Sequence, residues 1–217
     1  MSYPTTPQSI LVRLKHEVHP ASWNRSWEEF FDLYHEAVRV SVMYSFSKFS
    51  WYRYNDEDLE ATVLKVFQSF NDEIQKGFEF DGDRGKFRQF LITICQRRVS
   101  DFMRQQKRLE RFDSLAPEEL AEATRGRNIE IFDEHEKEKV NEEFAKAKFG
   151  ELLSLLRERV APRVYTIFEL VKLNGGEPEN VAQQLEVKRG VVDNSIYKAM
   201  QTLRAIHEEL GSKKQQS

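Results

Sequence analysis

Apolar residues recur along this chain at helical spacing. Trp27, Phe30, Phe31, Tyr34 and Val38 fall at i, i+3, i+4, i+7 and i+11, which predicts one face of an α-helix capped by Ser26. Leu59, Val63, Val66, Phe67, Phe70 and Ile74 predict a second helix after Asn55, with Asp56, Glu57 and Asp58 suited to the dipole at its start. The glycines and aspartates from Gly77 to Gly85 signal a break. A third helix is expected from about Lys86 to Arg108, burying Phe87, Phe90, Leu91, Ile94 and Phe102. Ser9 to Leu14 has the makings of a short helix.

From about Glu110 to Glu143 acidic residues outnumber basic ones and apolar residues thin out, which reads as an acidic linker, helical near its ends. Helical patterning then resumes. Phe149, Leu152, Leu153, Leu155 and Leu156 mark one helix, and Val164, Ile167, Phe168 and Val171 the next. Gly175-Gly176-Glu177-Pro178 is a turn into a short helix carrying Val181, Ala182 and Leu185. Glu186-Val187-Lys188 leads to a last helix with Val192, Ile196, Ala199, Leu203 and Ile206. The expected fold class is all-α: two small helical domains, 1–109 and 145–217, joined by the linker 110–144.

Composition narrows the function classes. A chain of 217 residues holds one large domain or two small ones. Its net charge of −3 means that any nucleic-acid role rests on local charge segregation. The single cysteine, Cys95, excludes an internal disulfide and a cysteine-built zinc site. No apolar run approaches a membrane span, and no basic-then-apolar leader opens the chain, so a cytoplasmic protein is expected. The five histidines form no sequence-local metal motif, and Asp81, Asp83 and Gly85 open a calcium-type loop that Ile92 fails to close. Phosphate-loop, dinucleotide and nucleophile-elbow motifs are missing. His35-Glu36 with Asp56 and Asp58 is the one combination offering a metal-dependent hydrolase, and the expectation is no enzyme, no metal and no cofactor.

Two constellations offer binding chemistry. The spacing Val181-Ala182, Leu185, Val187, Val192, Ile196 fits a helix-turn-helix, with Arg189, Asp193, Asn194, Tyr197, Lys198 and Gln201 facing outward. Asn and Gln suit adenine edges, and Arg and Lys suit guanine or phosphate. The plain alternative is an ordinary small helical domain; Glu186, where glycine is commonest, and the acid Asp193 count towards it. In the third helix, Thr93, Arg97, Ser100, Arg104, Lys107 and Arg108 share one side beside Gln96, and Lys86, Arg88, Arg98 and Arg111 add positive charge. Clustered cations suit a phosphate backbone, and Phe78, Phe80 and Phe87 offer faces for unpaired bases. The alternative there is a solvated face over core aromatics.

These residues also resemble a known family, the extracytoplasmic-function (ECF) sigma factors. Trp27-Glu28-Glu29-Phe30-Phe31-x-x-Tyr34 resembles the opening helix of their promoter-melting domain. Asp56-Glu57-Asp58-Leu59-x-x-x-Val63-x-x-Val66-Phe67 is similar to the polymerase-binding helix, commonly D-A-E-D-L-V-Q-E-V-F. Phe80-Asp81-x-Asp83-Arg84-Gly85-Lys86-Phe87-Arg88-x-Phe90-Leu91-x-x-Ile94 resembles F-D-P-x-R-G-x-F-R-x-W-L-x-x-I and is the most specific match. Ser9 to Leu14 is like the leader of a subgroup frequent in planctomycetes, and the helix-turn-helix is similar to the domain that reads the −35 element.

The resemblance implies a factor that binds core RNA polymerase and directs promoter recognition, strand opening and initiation. Asp56, Glu57, Asp58, Leu59, Val63 and Phe67 would dock on the polymerase. Arg84, Lys86, Arg88, Gln96, Arg97, Ser100, Arg104, Lys107 and Arg108 would bind the −10 element and hold flipped bases. Lys188, Arg189, Asn194, Ser195, Tyr197, Lys198 and Gln201 would read the −35 element. Many relatives are held by an anti-sigma factor or another inhibitory regulator, and such a partner is compatible with this chain. Arg97 stands where the family often has Asn, Ser195 where it often has Arg, and Ala61-Thr62 and Leu64-Lys65 replace the usual residues of the docking helix. These departures keep a second reading open, a sigma-like regulator that binds DNA or polymerase without opening promoters.

Overall fold

The computed structural model describes residues 10–16, 19–77, 84–111 and 132–212. Within them the chain is helical: α1 Ile10–His16, α2 Pro20–Phe46, α3 Asp56–Gln75, α4 Arg84–Arg111, α5 Glu134–Arg159, α6 Pro162–Phe168 continuing as a π turn over Glu169–Leu173, α7 Pro178–Gln184 and α8 Arg189–Ser212. No strand occurs among the described residues. The chain divides into two compact units, one of residues 13–147 and one of 1–12 with 148–217.

The first unit is built on α2, α3 and α4 around an aromatic core. Phe30 of α2 lies 4.7 Å from Phe70 of α3, and Phe87 of α4 meets Tyr34 edge-on at 5.3 Å. Edge-to-face and offset ring pairs add to what the buried area alone gives. The helix α2 starts earlier than the apolar pattern indicates. Pro20 occupies its first turn, where a missing N–H costs nothing. Ser26 is therefore no cap but a buried residue inside the helix, and Trp23 stacks on Trp27 one turn away at 5.6 Å. The start of α3 needs no such revision. Asn55 and Asp58 form a reciprocal capping box, and three acids fill the first turn.

The end of the expected linker is ordered within this unit. Asp133 Oδ1 accepts from the Glu136 N–H, and Glu136 Oε2 accepts from the Asp133 N–H, both at 2.9 Å. This capping box starts α5, and pairs such as Lys146–Glu142 at 3.0 Å turn its many acids into helix-compatible neighbours. Phe132, Val140 and Phe144 are buried. Glu136, only 8 % exposed, also receives Lys48 and, at 3.3 Å, the Ser47 hydroxyl.

The second unit holds two apolar clusters. Leu155, Leu156, Val160, Phe168, Ala199 and Ile206 form one, and Ile167, Val171, Val181, Ala182 and Val192 the other. Phe149, expected on the buried side of α5, is instead half exposed. Buried Ile10 belongs to this unit, where its N–H donates to the buried carboxylate of Glu151 at 3.1 Å. Before α7 the backbone closes tightly. A Cβ on Gly176 would sit 2.7 Å from the Leu170 carbonyl oxygen, so only glycine fits there.

Candidate nucleic-acid and polymerase interface

The turn between α7 and α8 is a Schellman motif. The Val187 N–H donates to the Ala182 carbonyl at 2.9 Å, and the Glu186 N–H to that of Gln183 at 3.1 Å. The motif requires a left-handed residue, and here it is Glu186, at φ 52. Val187 packs against the cluster containing Ala182, so the small side chain of Ala182 lets the helices meet.

Of the seven residues expected to read the −35 element, six are exposed and one is buried. Lys188, Arg189, Asn194, Tyr197, Lys198 and Gln201 are exposed, and Asp193 lies among them. Ser195 is not on that face. It is buried, and its hydroxyl donates to the Val191 carbonyl at 2.7 Å. Helical spacing explains the difference, because Ser195 follows buried Val192 by three residues and precedes buried Ala199 by four. Arg189 is held between carboxylates: it pairs with Glu179 of α7 and, at 3.0 Å, with Asp193.

On α4, Arg97, Arg104 and Arg108 are exposed, and Arg88, Gln96, Ser100 and Lys107 are partly so. Asp101 binds both Arg98 and Arg104, each at 3.2 Å, while no carboxylate pairs with Arg97 among the described residues. Arg97, Ser100, Arg104 and Lys107 follow one another at helical spacing and make a single basic stripe. Phe87 is not a stacking surface, since it is a core residue packed on Phe30, Tyr34 and Phe70. Phe78 and Phe80, and the side chains of Arg84 and Lys86, lie outside the described residues.

The expected docking residues of α3 need the largest revision. Leu59, Val63 and Phe67 are buried in the unit's own core and have no surface to offer a partner. Asp58 is engaged by the capping box and by the Tyr52 hydroxyl at 3.0 Å. Glu60 is held by Arg39 at 2.9 Å and His35 at 3.3 Å. What α3 presents outward is Glu57, Ala61, Leu64, Lys65 and Gln68, with Asp56 at its start. Leu64, 51 % exposed, is the apolar centre of that stripe. In sequence Leu64 departs from the family pattern of this helix, and as an apolar residue outside the core stripe it carries a signal of an exposed contact position.

Buried Cys95 has its thiol pushed far above the usual value by desolvation. Among the described residues no group of three or more His, Cys, Asp or Glu is placed to hold a metal, and no helix is long and apolar enough to cross a membrane. A family model described as ECF sigma factor matches residues 24–210 of the chain. Neither a curated protein nor a solved structure matched.

Proposed function

We propose that this chain, which belongs to the ECF sigma factor family, docks on core RNA polymerase through the outer face of α3 and opens promoter DNA along the basic stripe of α4. ECF sigma factors bind core RNA polymerase, promoter DNA and anti-sigma factors. The observation that carries the proposal is the separation of charge on the first unit. The exposed start of α3 is acidic, with Asp56 and Glu57, while the exposed side of α4 carries Arg97, Arg104, Lys107 and Arg108. A cationic stripe matches a phosphate backbone and an acidic, leucine-centred face does not, so the two surfaces suit different partners.

The second unit would read the −35 element through Lys188, Arg189, Asn194, Tyr197, Lys198 and Gln201, all exposed on or beside the start of α8. No covalent step falls to this chain, because the polymerase makes the bonds and the factor contributes binding free energy. Such a protein works in the cytoplasm.

The test is reconstitution. Purified protein with core polymerase should start transcription from a specific promoter recovered by sequencing transcripts and bound DNA after overexpression. Absence of core binding would refute the proposal. The second reading, a regulator without promoter opening, is favoured by the acid Asp193 on the exposed face of α8 and by the inward turn of Ser195. Core binding without open complexes on any recovered DNA would select it.

A further inference from the structure

The loop between α2 and α3 carries four aromatic residues in nine, of which Tyr52 and Tyr54 are packed against neighbouring rings while Trp51 is displayed. Phe46 stacks on Tyr54 at 4.8 Å and meets Phe102 of α4 edge-on at 5.3 Å. Tyr52 packs on Phe102 at 5.6 Å, and its hydroxyl donates to Asp58 at 3.0 Å. The loop's first residues, Ser47 and Lys48, are tied to the buried Glu136 carboxylate. The Tyr52 N–H donates to the Phe49 carbonyl at 3.1 Å, which closes a turn with Ser50 and Trp51 at its corner. Trp51 is thus held at the tip of a braced loop, and it is 44 % exposed.

A ring that is both exposed and held on a braced loop is available for stacking, and its surroundings give that availability a use. Lys107 of α4 stands over the Trp51 ring, 5.9 Å from the centroid. Lys107 belongs to the stripe that starts at Arg97 and passes through Ser100 and Arg104. An open depression of about 560 Å³ adjoins the loop, lined by Phe46, Phe49, Tyr52, Arg53 and Tyr54 among others. A phosphate track that ends on an exposed aromatic face is how proteins hold unpaired nucleic acid: cations follow the backbone and rings stack on bases.

We infer that Trp51, with Lys107 above it, is a stacking site for an unpaired nucleobase at the end of the α4 phosphate track. The inference rests on the proposed function and names a binding position that the family match does not. Phe78, Phe80 and Phe87 are not needed for it, and Phe87 is excluded by burial. On binding, the base takes the ring face that Lys107 now covers, and the ammonium moves to the adjoining phosphate. Any base serves, because each has a π face, so the site adds to strand opening without setting the promoter sequence.

The experiment uses holoenzyme assembled from the full chain and core polymerase on promoter DNA recovered from cells. Permanganate reactivity of unpaired thymines measures opening, and titration of core measures docking. Trp51→Ala should lower the opening equilibrium about fivefold to a hundredfold, the range for loss of one stacked base, with core affinity unchanged. Trp51→Phe should restore most of it. As a measurement on the unaltered protein, 5-iodouracil placed in turn at each non-template position of the bubble should cross-link to the peptide containing Trp51. Normal opening by Trp51→Ala would overturn the inference, as would equal failure of the folded Trp51→Phe variant or cross-links that avoid that peptide. If the unaltered chain binds no core polymerase, the functional proposal itself falls, and that outcome is distinct from all of these.

Discussion

Replacing Leu64 and Leu59 separately by alanine distinguishes a contact surface from a core on one helix. Leu59 is 2 % exposed and Leu64 is 51 % exposed, five residues apart on α3. Leu59→Ala deletes buried methyl groups and leaves a cavity, which costs about 2–5 kcal/mol. For a unit of this size that is a Tm fall of roughly 6–20 °C. Leu64→Ala leaves no cavity and should change stability by less than about 1 kcal/mol. Full burial of a leucine contributes about 1.5–3 kcal/mol, and half of the Leu64 side chain remains to be covered on docking. Leu64→Ala should therefore weaken core-polymerase binding by about 0.8–1.5 kcal/mol, roughly fourfold to twelvefold in Kd. Circular dichroism melts and anisotropy titrations of labelled protein with core polymerase measure the two quantities. Leu64→Ala that melts normally and binds core as tightly as the original would refute the assignment of this face. So would a binding loss no larger than its own destabilisation explains.

Three further outcomes follow from single residues. Arg97→Ala should reduce the slope of log K against log salt for promoter binding by about 0.9, as expected for one lost phosphate contact; an unchanged slope places Arg97 off the DNA. Glu186→Gly should raise the Tm of the second unit. The left-handed conformation at φ 52 costs a non-glycine residue about 1–2 kcal/mol, glycine gives back about 0.5–1 of that in backbone entropy, and a lower Tm would contradict the strain. Buried Cys95 should resist alkylation at pH 8 until the chain unfolds. Its pKa is raised by folding from a usual value of 9.0, so the unfolded chain loses the proton first. Stability contributed by this group is then complete below pH 9 and falls above it, by about 1.4 kcal/mol per pH unit. Urea melts of the parent and Cys95→Ala from pH 8 to 10.5 measure the difference, and parallel pH profiles would refute it.

The helices themselves were legible in the sequence. The buried stripe of α3 is the one that periodicity predicts, and its capping box follows from Asn55 and Asp58. Periodicity serves because a helix brings residues three and four apart onto one face whatever lies opposite. The same local logic foresaw the helix-turn-helix and its exposed Tyr197 and Lys198. At Ser26 local reading points to a serine cap, whereas the helix starts at Pro20, six residues earlier. The box of Asp133 and Glu136 was equally local, and the density of acids around it hid the signal.

Family resemblance pointed to α3, α4 and α8 as candidate contact helices but did not separate their faces. A motif such as Asp58-Leu59-x-x-x-Val63 mixes buried and exposed positions, and the motif string alone does not separate them. Periodicity puts Leu59, Val63 and Phe67 on the apolar stripe, and tertiary packing covers that stripe while leaving Leu64 outside. Distance along the chain is the general reason. Lys48 meets Glu136 across 88 positions, Ile10 meets Glu151 across 141, and Lys107 covers Trp51 across a helix and a loop. Local spacing fixes which residues share a face, whereas which face is covered, and by what, is decided when distant segments compete for the same apolar surface.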